Sequence, residues 1–97
     1  MDTVPRSFVP HRGLARGRSA PLGATLYPHG VNFSVYSKYA TGMDLLLFDA
    51  ADAEPSRIIE LDPHRHRSFH YWHVFVPDLA AGQIYAFRAH GPYLPDL

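Results

Sequence analysis

Four histidines lie close together, at positions 64, 66, 70 and 73, with His-x-His and His-x-x-His spacings that suit imidazole ligation of zinc or copper. Arg65 and Arg67 stand inside this cluster and repel a cation, and neither a cysteine nor a well-placed carboxylate completes a ligand shell. No metal site is therefore expected, and the segment reads as a basic loop that gains charge below pH ~6.5. Overlapping it, Tyr71, Trp72, His73 and Phe75 offer a second chemistry, aromatic faces that stack on sugar rings beside polar neighbours. Asp49, Asp52 and Glu54 offer carboxylates, but in a segment whose composition marks a solvated surface turn.

These side chains are useful only where backbone elements hold them. The segment 71–93 reads as two strands joined by the turn Pro77-Asp78-Leu79-Ala80-Ala81-Gly82 and closed by the rigid exit Gly91-Pro92-Tyr93. Upstream, 22–27 is a candidate strand ended by Pro28-His29-Gly30, and 31–37 alternates with Val31, Phe33 and Val35 on one face. The run 43–48 is apolar on both faces and suits a central strand, and 57–61 follows the loop 49–56. A polar connection over 62–70 leads to the strand 71–76, and 83–90 is the last strand. Six strands at this spacing without a helical pattern predict an all-β, immunoglobulin-like sandwich of about six to seven strands.

Alternation sorts the aromatic residues. Trp72, Val74 and Val76 share one face of their strand, and Tyr71, His73 and Phe75 share the other. With Phe33, Val35, Tyr85 and Phe87 on matching faces, Trp72 and Val74 are assigned to the core, and Trp72 is read as a core anchor in preference to a sugar platform. Tyr71, His73 and Phe75 remain as a contact face, for a sugar or for a neighbouring domain, the latter favoured. A free sandwich usually shows water a polar face, so a strand apolar on both sides predicts cover from another domain.

Length and composition set the outer bounds. Ninety-seven residues fill one domain and leave no room for an enzyme barrel. Nine basic and nine acidic residues cancel, leaving no overall field for nucleic acid or an anionic membrane. Neither a signal-peptide core nor a run of ~20 apolar residues occurs, and cysteine is absent, which together make the cytoplasm the expected compartment. Arg6, Arg12, Arg16 and Arg18 face one acid, Asp2, over 1–18, where Pro5, Pro10, Gly13 and Gly17 break any period. That segment is expected to be a flexible basic arm, solvated and not nucleic-acid-binding. Gly82-Gln83 and Gly91-Pro92 read as turn and exit, neither as a phosphate cradle.

Six ordered blocks carry a resemblance: Pro21-Leu22-Gly23-Ala24, Gly30-Val31-Asn32-Phe33-Ser34-Val35-Tyr36-Ser37, Leu45-Leu46-Leu47-Phe48-Asp49, Tyr71-Trp72-His73, Gly82-Gln83-Ile84-Tyr85-Ala86-Phe87-Arg88 and His90-Gly91-Pro92-Tyr93. Together they resemble the N-terminal domain of bacterial glycogen debranching enzymes of the isoamylase type. The resemblance implies a β-sandwich classed as a family 48 carbohydrate-binding module over 19–93, with 94–97 starting a linker to a glycoside hydrolase family 13 (β/α)8 barrel that hydrolyses α-1,6 branch linkages of glycogen or maltodextrin. It also implies that the nucleophile and acid/base carboxylates, about 5–5.5 Å apart in a retaining glycosidase, lie on that barrel. No catalytic, cofactor-binding or metal-ligating residue is assigned to this chain. The alternatives are a free-standing glucan-binding or interaction module, and the front domain of a maltooligosyl trehalose trehalohydrolase.

Overall fold

The computed structural model describes residues 13–91. Residues 1–12 of the arm expected over 1–18, Pro92 and Tyr93 of the exit and the linker start at 94–97 lie outside the described residues.

Seven strands form two antiparallel sheets: β1 (Gly23–Tyr27), β2 (Gly30–Tyr36), β3 (Gly42–Phe48), β4 (Arg57–Leu61), β5 (Arg67–Ser68), β6 (Tyr71–Pro77) and β7 (Ile84–His90). One sheet runs β1-β2-β6-β5 and the other β4-β3-β7. This is the immunoglobulin-like sandwich that the alternation predicts. The short β5 is new, because two residues, Arg67 and Ser68, cannot display a period.

Cross-strand register explains the core. Val31 faces Val76, Phe33 faces Val74 and Val35 faces Trp72, so one side of the four-stranded sheet is continuously apolar. On the other sheet Leu45 lies between Ile59 and Phe87, and Met43 between Leu61 and Ala89. Both apolar sides meet between the sheets, where Phe33, Leu45, Trp72, Val74 and Val76 are fully buried and Val35, Tyr85 and Phe87 pack against them from partly buried positions. Each large side chain buried this way contributes roughly 1.5–3 kcal/mol. Phe33 and Tyr85 join the two sheets edge to face, ring centroids 4.8 Å apart. β3 is the middle strand of its sheet, as its two apolar faces require.

The segment before β1 departs from the expected arm. From Gly13 onward it is part of the fold: Leu14 is buried, and Ala15 exchanges backbone hydrogen bonds with Phe75 at 3.1 and 3.0 Å. Arg16 to Ser19 then crosses the outer side of β6 and β2. Gly17 makes this crossing possible, since a Cβ there would stand 2.8 Å from the Val74 carbonyl carbon and 2.9 Å from the Phe75 nitrogen, at a φ of +73°.

Candidate functional site

Three polar side chains on the outer side of β2 and β6 hold the leader. The Arg18 N–H donates to Asn32 Oδ1 at 2.8 Å, and Asn32 Nδ2 donates to the Arg18 carbonyl at 3.0 Å. Ser34 Oγ donates to the Ser19 carbonyl at 2.7 Å, and His73 Nδ1 bonds the Arg16 carbonyl. A carbonyl only accepts, so this network places a proton on His73 Nδ1, while Nε2 bonds the Ser68 hydroxyl at 2.7 Å. All three side chains are buried. The exposed backbone of an irregular segment needs partners when it leaves water, and Asn32, with a donor and an acceptor on one amide, supplies both at once.

This arrangement corrects the expected contact face of Tyr71, His73 and Phe75. His73 lies under the leader, so the cover that its strand requires comes in part from the same chain. Phe75 is half-buried, with its ring 6.2 Å from Tyr27 and its backbone paired to Ala15. Tyr71 alone of the three joins a surface cluster. Trp72 is 0% exposed and presents no ring face to a sugar; its Nε1 has no hydrogen-bond partner among the described residues.

The histidines separate into different surroundings. His66 Nδ1 accepts from the Asp62 N–H at 2.9 Å inside the β4–β5 turn, His70 stacks on Phe69, and His73 sits beneath the leader. Among the described residues no group of three or more His, Cys, Asp or Glu side chains could hold a metal ion.

Two surface features emerged that alternation alone did not locate. The first is a ring cluster at one end of the sandwich. Tyr36 and Tyr71 are register partners with ring centroids 5.2 Å apart at 74°. His70 lies 5.9 Å from Tyr36, and Phe69 lies 3.8 Å from His70. Phe69 and His70 form the two-residue loop of the β5–β6 hairpin, anchored by the Ser37 N–H donating to the His70 carbonyl and by Arg67 Nε donating to the Phe69 carbonyl. Phe69 has a φ of +58° and is 76% exposed. A positive φ at the first residue of such a loop favours glycine, and a bulky ring there carries backbone strain. The signal in the sequence was a large apolar residue inside an otherwise polar turn.

The second feature is on the outer side of the three-stranded sheet. Leu46, Phe48, Ile58, Ile84 and Ala86 form an aliphatic-rich band, with Ile58 and Ile84 exposed. At its other end Asp44 Oδ2 accepts from Arg88 Nη2 at 2.9 Å, Arg88 Nε at 3.1 Å and His90 Nε2 at 2.6 Å. Burial by itself raises the Asp44 pKa, but the hydrogen bonds and charge of His90 and Arg88 outweigh it and hold the carboxyl below its ordinary value. Glu60 stands directly opposite Asp44 across β3 and β4. An acid catalyst in glycoside hydrolysis needs a raised pKa, so Asp44 has the wrong perturbation for that role. Asp49, Asp52 and Glu54 are exposed on the β3–β4 loop.

Similarity to known proteins agrees with the fold. Residues 21–96 match the family model of carbohydrate-binding module 48, the isoamylase N-terminal domain. The glycogen debranching enzyme of Serratia proteamaculans (strain 568) is 45% identical over 82 residues, which is 84% of this chain and 12% of that protein. The chloroplastic isoamylase SU1 of Zea mays is 42% identical over 84 residues, 82% of this chain and 11% of the maize protein. A solved pullulanase structure from Paenibacillus barengoltzii, in complex with maltohexaose and alpha-cyclodextrin, aligns over 76% of this chain and 11% of its own with a TM-score of 0.66. At 19% identity that likeness speaks for the fold alone. The chain spans about a tenth of the length of the relatives it matches. It belongs to the carbohydrate-binding module 48 family, the isoamylase N-terminal domains.

Proposed function

We propose that this chain is the N-terminal accessory domain of a debranching hydrolase that cleaves α-1,6 linkages of glycogen or a related α-glucan, with the chemistry supplied by a catalytic (β/α)8 barrel in polypeptide beyond residue 97. The observation that carries this reading is the alignment of more than four-fifths of the chain with a short part of relatives named glycogen debranching enzyme and isoamylase. The site geometry agrees: Asp49, Asp52, Glu54, Glu60 and Asp78 are exposed, and Asp44 is held below the ordinary carboxylate range by His90 and Arg88. The names of the relatives support this reading over the free-standing module and the trehalose-releasing hydrolase.

On this reading the domain works in the cytoplasm, contributes α-glucan contacts and a seam with the barrel, and does no chemistry itself. The aliphatic band of the three-stranded sheet suits such a seam, since β7 is the strand that leads into the following polypeptide. No helix among the described residues is long and apolar enough to cross a membrane. The test is to read the coding sequence past residue 97, express the product and measure reducing ends released from amylopectin. Release by the longer protein, with none by the 97-residue chain, is expected; a longer product without such activity overturns the proposal.

A further inference from the structure

We infer that the ring cluster at the Phe69 end of the sandwich is an α-glucan-stacking site, with Phe69 as its principal platform and Tyr36, His70 and Tyr71 as its wall. The inference rests on the accessory-domain reading for the class of ligand and on separate observations for the place. The exposed aromatic side chains among the described residues are Tyr36, Tyr39 and Phe69, and the topology brings all of them to one end: Tyr36 closes β2, Tyr39 follows it in the β2–β3 loop, and Phe69 tips the adjoining hairpin. The exposed aliphatic residues lie elsewhere, Leu22 and Leu26 at β1 and Ile58 and Ile84 on the other sheet.

That segregation has chemical meaning. Aromatic rings with hydroxyl, imidazole and ammonium groups at their margins match a pyranose, which offers C–H groups on its faces and hydroxyls on its rim. Aliphatic side chains match another protein surface. Lys38 adds to the polar margin, with Nζ 5.5 Å from the Tyr39 ring centroid.

Backbone strain points to the same residue. Glycine would hold the positive φ of the hairpin loop without cost, yet the chain places there a ring that is 76% exposed and contributes nothing to the core. The Ser37-to-His70 and Arg67-to-Phe69 bonds hold the hairpin backbone that carries this ring, and the His70 ring lies against it at 3.8 Å and 38°. A rigid platform loses little conformational freedom on binding, which is how a small aromatic site attains useful affinity.

The experiment compares the 97-residue chain with its variants in native gels containing glycogen and in titrations with maltoheptaose followed by tyrosine and tryptophan fluorescence. Phe69→Gly removes the ring and suits the backbone, so its melting temperature holds or rises while its maltoheptaose affinity falls about tenfold or more, as for an aromatic hot spot. Tyr36→Ala weakens binding by a smaller factor, and Ile58→Ser, on the other sheet, binds as the parent does. The site is overturned if the parent chain is not retarded, if Phe69→Gly binds unchanged, or if Ile58→Ser is the variant that loses glucan. If Phe69→Gly binds unchanged but self-associates less, the cluster is a protein seam, which also overturns the inference. An unretarded parent chain leaves the accessory-domain reading intact, because that reading stands or falls on the activity of the longer protein.

Discussion

The outer sides of the two sheets solve the same problem in opposite ways. On the four-stranded sheet Asn32, Ser34 and His73 are buried by the backbone of residues 16–19, and hydrogen bonds to that backbone satisfy them. On the three-stranded sheet Asp44 is buried by the side chains of Arg88 and His90, and an ion pair satisfies it. One side is closed by the chain's own leader; the other keeps an aliphatic band open. The difference teaches that polar residues at outward positions do not by themselves mark a wet surface: what matters is whether a partner for each donor and acceptor arrives with the fold.

The comparison breaks most visibly at Gly17. Gly17→Val drives a branched side chain into the backbone of β6 at a strained φ, lifting the leader off Asn32, Ser34 and His73. A loss of about 2–4 kcal/mol in urea unfolding is expected; a variant as stable as the parent means that the leader contributes little. Next comes the ion pair. Arg88→Ala leaves the Asp44 carboxylate with His90 alone and costs about 1–2 kcal/mol at neutral pH.

Asp44 also predicts a pH dependence at the acid end. Its pKa is lowered in the folded state, so its contribution is present above the unfolded value of about 3.9 and is lost as pH falls through the folded value. Asp44→Asn should flatten this acid limb in melting curves taken from about pH 5 to pH 2, whereas Asn32→Ala should leave its slope unchanged. The smallest stability effect belongs to the aliphatic band: Ile58→Glu changes unfolding by less than about 0.5 kcal/mol. It lowers any self-association seen by sedimentation, and unchanged association would remove the band as a sticky surface.

Much of this molecule was legible in its residues. The alternations Val31-Phe33-Val35 and Trp72-Val74-Val76 place the core because burial on one side of a strand imposes a period of two. The Met43-to-Phe48 run marks a central strand for a different reason, that apolar residues on both of its faces leave no polar side to turn to water. The leader was not legible, because Gly13, Arg16, Gly17 and Arg18 carry no period and their binding energy lies in backbone groups that every sequence has. His73 was assigned to the correct side of its strand, but alternation cannot say what covers that side. Phe69 was passed over because its informative property is a backbone angle.

The pairing of Ala15 with Phe75 has a further consequence, for how the domain avoids its own copies. β5 occupies the hydrogen-bonding edge of β6 only at Tyr71 and Trp72, the His66 carbonyl takes the His73 N–H, and Ala15 takes both groups of Phe75. The leader thus acts as a plug against intermolecular strand addition. A shortened chain that begins at the family boundary near residue 21 would expose this ladder and hand Asn32, Ser34 and His73 from the leader to water, which favours fibrous or domain-swapped assembly.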